Sequence, residues 1–120
     1  KSILIVEDDE ANSLYLNEIL SGYDLVIFNA FNGEEALQLI NDNPNVDLVL
    51  MDIRLPDTNG LILTRLIKVS RPQTVVVAQT AYASHEDVEE CLRAGCNDYI
   101  AKPINERKLF DLIRHYLESN

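Results

Sequence analysis

Four separated stretches of this 120-residue chain carry side chains that could act together on a phosphoryl group. Glu7, Asp8 and Asp9 stand together directly after the apolar run Ile3–Val6. Asp52 follows the run Val46–Met51, Thr80 follows Thr74–Gln79, and Lys102 follows Asp98–Ala101. Carboxylates that converge without a counter-charge repel one another, and some are driven to take up protons. A hard divalent cation relieves that repulsion, and Mg2+ suits carboxylate, carbonyl and water oxygens. A nucleophilic carboxylate, a metal, an ammonium and a hydroxyl are the parts needed to accept a phosphoryl group. The cations neutralise the phosphoryl oxygens while the carboxylate attacks in line.

This chemistry depends on the elements that bring the stretches together. The five short apolar runs are Ile3–Val6, Asp24–Phe28, Val46–Met51, Thr74–Gln79 and Asp98–Ala101. The first, third and fourth are almost continuous in Ile, Leu, Val and Met, which suits parallel strands covered on both faces. Helical patterns lie between them: Glu10 to Leu20, Gly33 to Asn41, a third from Asn59-Gly60, Ser84 to Ala94, and Glu106 to Leu117. Ser84 with Asp87 three residues on is a capping-box pattern, and Gly95 is a stop signal. Alternating strands and helices predict one domain over residues 1–120, with a parallel sheet and helices on both faces. Right-handed crossovers leave few topologies. The expected fold class is α/β, a flavodoxin-like (βα)5 doubly wound sheet with strand order 2-1-3-4-5. Such sheets bind ligands beyond the strands' carboxyl ends, at the switch point between strands one and three. Glu7, Asp8, Asp9 and Asp52 fall there, with Thr80 and Lys102 to one side.

Composition removes several function classes. Hydrophobic residues make up 47% and charged residues 25%, an ordinary globular balance that excludes disorder. The net charge is −10, and residues 1–60 carry all of it, with 12 acids against Lys1 and Arg54. Nucleic-acid binding needs a cationic stripe, so no direct nucleic-acid contact is expected. A metal cation or a basic partner surface is favoured instead. The apolar runs are too short to cross a bilayer and no signal peptide is visible, so a cytoplasmic domain without membrane contact is expected. Cys91 and Cys96 lack the partners of a zinc site and read as thiols in a reducing compartment. His85 and His115 have no metal-like cluster around them. The chain opens with Lys1-Ser2, and the expectation is a domain cut from a longer protein.

The stretches Ile3-Leu4-Ile5-Val6-Glu7-Asp8-Asp9-Glu10, Leu50-Met51-Asp52-Ile53-Arg54-Leu55-Pro56, Gln79-Thr80-Ala81 and Tyr99-Ile100-Ala101-Lys102-Pro103 resemble the receiver domain of two-component response regulators. The resemblance covers essentially the whole chain. It implies that Asp52 is the phosphoacceptor and that Mg2+ is bound by Asp8 and Asp52, by Glu7 mostly through water, and by the backbone carbonyl of Arg54. It implies that Lys102 holds a phosphoryl oxygen, that Thr80 donates its hydroxyl to the phosphoryl group, and that Tyr99 is the switch aromatic. Pro103 would follow a cis peptide, and Ala81 would keep the acid accessible. Arg54 and Tyr82 lie two places beyond Asp52 and Thr80, where the family tunes phosphoryl lifetime. The implied partner is a histidine kinase or histidine phosphotransfer domain, with an output that the sequence does not name. The phrasing around Thr80 and Lys102 is similar to receivers of hybrid sensor histidine kinases. The isolated domain would catalyse its own aspartyl phosphorylation and dephosphorylation and would not otherwise be an enzyme.

Other readings are weaker. A phosphatase with an Asp nucleophile needs a second Asp two residues on, where this chain has Arg54. A flavin carrier of the same fold needs a hydroxyl- and glycine-rich phosphate loop, and Glu7-Asp8-Asp9 would repel the flavin phosphate. A pseudo-receiver, acting only as an interaction module, is disfavoured by the intact Asp8, Asp52, Thr80 and Lys102. Taken singly, Asp8 and Asp9 could merely cap a helix, and Gly60 could merely ease a helix start.

Overall fold

A computed structural model describes residues 1–81 and 84–118. Strands form where the apolar runs are densest. β1 (Ser2–Val6), β3 (Leu48–Asp52) and β4 (Val75–Thr80) lie inside the sheet, while β2 (Val26–Ala30) and β5 (Asp98–Ala101) form its edges. All pairings are parallel and the order is β2-β1-β3-β4-β5, as the sequence predicts. The helices are α1 (Glu10–Leu20), α2 (Gly33–Asp42), α3 (Gly60–Ser70), α4 (His85–Ala94) and α5 (Glu106–Ile113).

Alternate residues of the central strands feed two cores. Leu4, Val6, Val49, Met51, Val76 and Ala78 pack beneath α2, α3 and α4. Ile3, Ile5, Leu48, Leu50 and Val77 pack against Leu16 and Leu20 of α1 and Leu109 and Ile113 of α5. Cladding on both faces explains why the central strands lack a polar alternation.

Each helix starts at a side-chain cap. Asp9, Asn32, Asn59, Ser84 and Asn105 each accept a backbone N–H from the first turn of the helix that follows. α4 stops at Gly95, whose φ of 107° is left-handed, and Cys96 N–H then reaches back to the Cys91 carbonyl at 3.1 Å.

Several boundaries differ from expectation. β2 runs two residues later than Asp24–Phe28. Leu25 N–H is taken by the Tyr23 carbonyl in a turn, and polar Asn29 stays in the strand because Asn17 of α1 pairs with its amide in both directions, at 2.8 and 3.1 Å. β3 and β4 start later than the runs Val46–Met51 and Thr74–Gln79, at Leu48 and Val75, and they end on Asp52 and Thr80, the strand-end positions expected for those residues. The final helix is α-helical only to Ile113 and widens into a π-helical turn over Arg114–Glu118. Along that turn Leu117 is buried, and Tyr116 Oη donates to the Asn97 carbonyl at 3.1 Å. Cys91 and Cys96 are free and buried, and burial pushes the Cys96 thiol up to about 11.

Candidate functional site at the carboxyl edge of the sheet

Glu7 leaves β1 with its backbone N–H still bonded to the Ala30 carbonyl of β2 at 3.0 Å, which fixes its side chain below α1. Its carboxylate is fully buried. Asp8 is exposed, and Asp9 turns away to cap α1, donating its own N–H to Glu7 Oε2 at 3.2 Å. Asp52 ends β3 with its side chain only 6% exposed, and Oδ1 accepts the Arg54 N–H at 3.2 Å. β5 delivers Lys102, whose N–H bonds the Thr80 carbonyl at 2.8 Å. Lys102 Nζ stands 3.0 Å from Glu7 Oε1 and 3.2 Å from Asp52 Oδ1. The Lys102–Pro103 peptide is cis.

These groups line one cleft of about 350 Å³, open to solvent, with Thr80, Ala81 and Arg54 on its wall. Asp52 is therefore shielded but not sealed. Glu7, Asp8 and Asp52 each present a carboxylate oxygen within 4.8 Å of the other two.

One ammonium does not balance this much acid. Burial raises the Asp52 carboxyl, the neighbouring Glu7 raises it further, and Lys102 offsets only part, leaving it at about 7. Burial also works against Glu7, but hydrogen bonds from Asp52, Asn12, the Asp9 N–H and Lys102 outweigh it and hold Glu7 below its usual range. Burial lowers Lys102, and its two carboxylate partners more than reverse that, so it stays charged. Asp52 and Glu7 are close enough to titrate as a pair. The donor set is all oxygen, clustered and short of positive charge, and that is what a hard divalent cation requires.

Not every expected residue faces this cleft. Tyr99 is partly exposed on β5 and lines a separate hollow with Lys108, Asp111 and His115. Tyr82 lies outside the described residues. Three contributors were not anticipated. Asn12 Nδ2 donates to Glu7 Oε1. Gln79, fully buried, accepts from Asn12 at 3.4 Å. Gly60 runs so close to the strand end that a methyl group there would overlap the Asp52 carbonyl oxygen. Asn12 carries a faint signal, a polar side chain in the first turn after the acidic run. Gln79 carries a better one, an amide interrupting the apolar residues Val75–Ala78.

Residues 3–114 match the family described as the response regulator receiver domain. The chain belongs to that family. This receiver domain is 38% identical to the polar-differentiation response regulator DivK of Brucella anthropi, covering 98% of this chain and 96% of DivK. It is 40% identical to a cyclic di-GMP phosphodiesterase of Thermotoga maritima, covering 98% of this chain but only 31% of that protein. A CheY-like receiver domain protein from Methanospirillum hungatei JF-1 shares the fold with a TM-score of 0.89 at 36% identity, covering 98% of this chain and 94% of that one. A co-crystal of the Saccharomyces cerevisiae histidine phosphotransfer signaling protein Ypd1 with the receiver domain of its downstream response regulator Ssk1 also matches. There the TM-score is 0.90 at 29% identity, over 96% of this chain and 87% of that one. The receiver domain is thus a phosphoacceptor module of two-component signalling, and the pseudo-receiver reading is not favoured. No helix among the described residues is long and apolar enough to cross a membrane.

Proposed function

We propose that Asp52 takes the phosphoryl group from a phosphohistidine of a histidine kinase or histidine phosphotransfer domain. The observation that carries this reading is a buried carboxylate at the end of β3, within 4.8 Å of two more carboxylates and touched by a lysine. In the transfer the histidine P–N bond breaks, its electron pair returns to the imidazole, and an Asp52 oxygen forms the new P–O bond. The Lys102 ammonium favours the ionised, nucleophilic form of Asp52 and then turns to a phosphoryl oxygen. Thr80 donates its hydroxyl to another oxygen, and Tyr99 fills the space that Thr80 leaves. Ala81 leaves the acid accessible, and the turn at Pro103 aims Lys102.

Asp8 and Asp52 would hold Mg2+, Glu7 mostly through water, and Arg54 through its backbone carbonyl. The ion supplies positive charge for the phosphoryl oxygens. The partner class is supported by the phosphotransfer protein in the Ypd1 co-crystal. Buried free thiols suit a reducing, cytoplasmic setting. The test is incubation with Mg2+ and a small acyl phosphate, read by intact mass. One added phosphoryl group is expected, lost on omission of Mg2+ and in Asp52→Asn. A phosphoryl group retained in Asp52→Asn overturns the assignment.

A further inference from the structure

Gln79 is out of keeping with its place. It sits at the end of an interior strand, fully buried, where the preceding β4 residues are Val and Ala. Its Oε1 accepts one Asn12 hydrogen at 3.4 Å, while the same Asn12 amide donates to Glu7. Its Nε2 is the buried side-chain polar atom that, among the described residues, has no partner. A buried amide without a partner destabilises the fold, and a methionine of similar length would avoid that cost. Polar groups kept at such a cost belong to sites rather than cores. Gln79 also lines the acidic cleft.

We infer that Gln79 is a positioning residue for Glu7, acting through Asn12. Glu7 shares Lys102 with Asp52. When Lys102 turns to a phosphoryl oxygen, Glu7 loses the ammonium that pairs with it among the described residues and leans more on Asn12 and the Asp9 N–H. Asn12 lies in the first turn of α1, partly buried, and Gln79 anchors its amide toward Glu7. Glu7 then keeps the orientation that its role toward the metal requires. Partners that orient ligands from behind change metal affinity even though they never touch the ion.

This inference rests on the phosphoacceptor reading. Wild type, Gln79→Met, Asn12→Ala and the double variant are compared by calorimetric titration with MgCl2, by thermal midpoint without Mg2+, and by acyl phosphate labelling. Gln79→Met is expected to fold at least as stably as wild type, because it loses the unpaired donor, yet to bind Mg2+ roughly tenfold more weakly. Asn12→Ala, at a partly exposed position in the first turn of α1, should weaken Mg2+ similarly, and the double variant should be no worse than Asn12→Ala alone. Wild-type Mg2+ affinity in Gln79→Met overturns the inference, as does a double variant whose loss is the product of the single losses. Lower stability with unchanged affinity means a purely structural role and also overturns it. If Gln79→Met fails to fold, Asn12→Ala decides, and wild-type affinity there overturns the inference. Wild type that takes no phosphoryl group at Asp52 sinks the underlying reading instead.

Discussion

At the residue scale the decisive feature is an acid that is costly to ionise. Asp52 holds its proton to about 7 in the fold against an ordinary 3.8. The folded state therefore binds more protons than the unfolded chain across that window, and stability must fall as pH rises through it. Without Mg2+, the thermal midpoint should decline from about pH 4 to about pH 7, and Asp52→Asn should flatten the decline and stabilise the domain at neutral pH by a few kcal/mol. Glu7 acts in the opposite sense around and below its usual 4.5, so it offsets the decline only at the acid edge of that window. A wild-type midpoint that climbs steadily from pH 4 to pH 7 contradicts the electrostatic account. Lys102 stabilises the ionised acid and later meets the phosphoryl group. Lys102→Ala should remove most of the phosphorylation-dependent conformational change while weakening Mg2+ binding less. Equal loss of both would refute that division of labour.

At the element scale the question is which parts are held firmly. α1 buries Ser13, Leu16 and Leu20, and α3 buries five residues. α4 buries only Cys91 and Ala94, leaves Leu92 half exposed, and crowds Glu86, Asp87, Glu89 and Glu90 along ten residues. Few apolar contacts and like charge put such a helix at the low end of local stability. Amide exchange within α4 should therefore change on phosphorylation more than exchange within α1 or α3. An unchanged α4 argues against it as the moving part. The start of α3 is the opposite case. Gly60 lies against the Asp52 backbone, and its N–H bonds the Ile53 carbonyl at 2.8 Å. Gly60→Ala must displace backbone rather than a flexible side chain, and should cost roughly 1–3 kcal/mol in chemical denaturation. The helix starts were legible because a cap is a local matter of one side chain and a few N–H groups. The edge strand β2 was less so, because its polar Asn29 pairs with Asn17, a partner on α1.

For the whole molecule the main consequence is linkage between cation and fold. A ligand that binds only the folded state raises stability with its concentration. Metal ligands must be deprotonated, so the gain grows with pH. Mg2+ should raise the thermal midpoint, more on the alkaline side of about pH 7 than on the acid side, and chelation should reverse it. An equal gain on both sides would place the ion away from Asp52. The net charge of −10 adds a diffuse attraction for cations, which salt should screen, whereas binding in the cleft should survive it better.

The order of apolar runs and caps was enough to dictate five βα units, and connection rules turned them into one strand order. The acidic run, Asp52, Thr80 and Lys102 then had to gather at the strand ends, because a strand's direction determines which end its last residue occupies. Only the folded chain decided how Glu7 and Asp52 share one lysine, that Tyr99 lines a different hollow, and that Asn12 and Gln79 stand behind Glu7. Those are distances between side chains from different elements. They depend on strand register and helix placement to within an ångström or so, and no local pattern in the sequence encodes them.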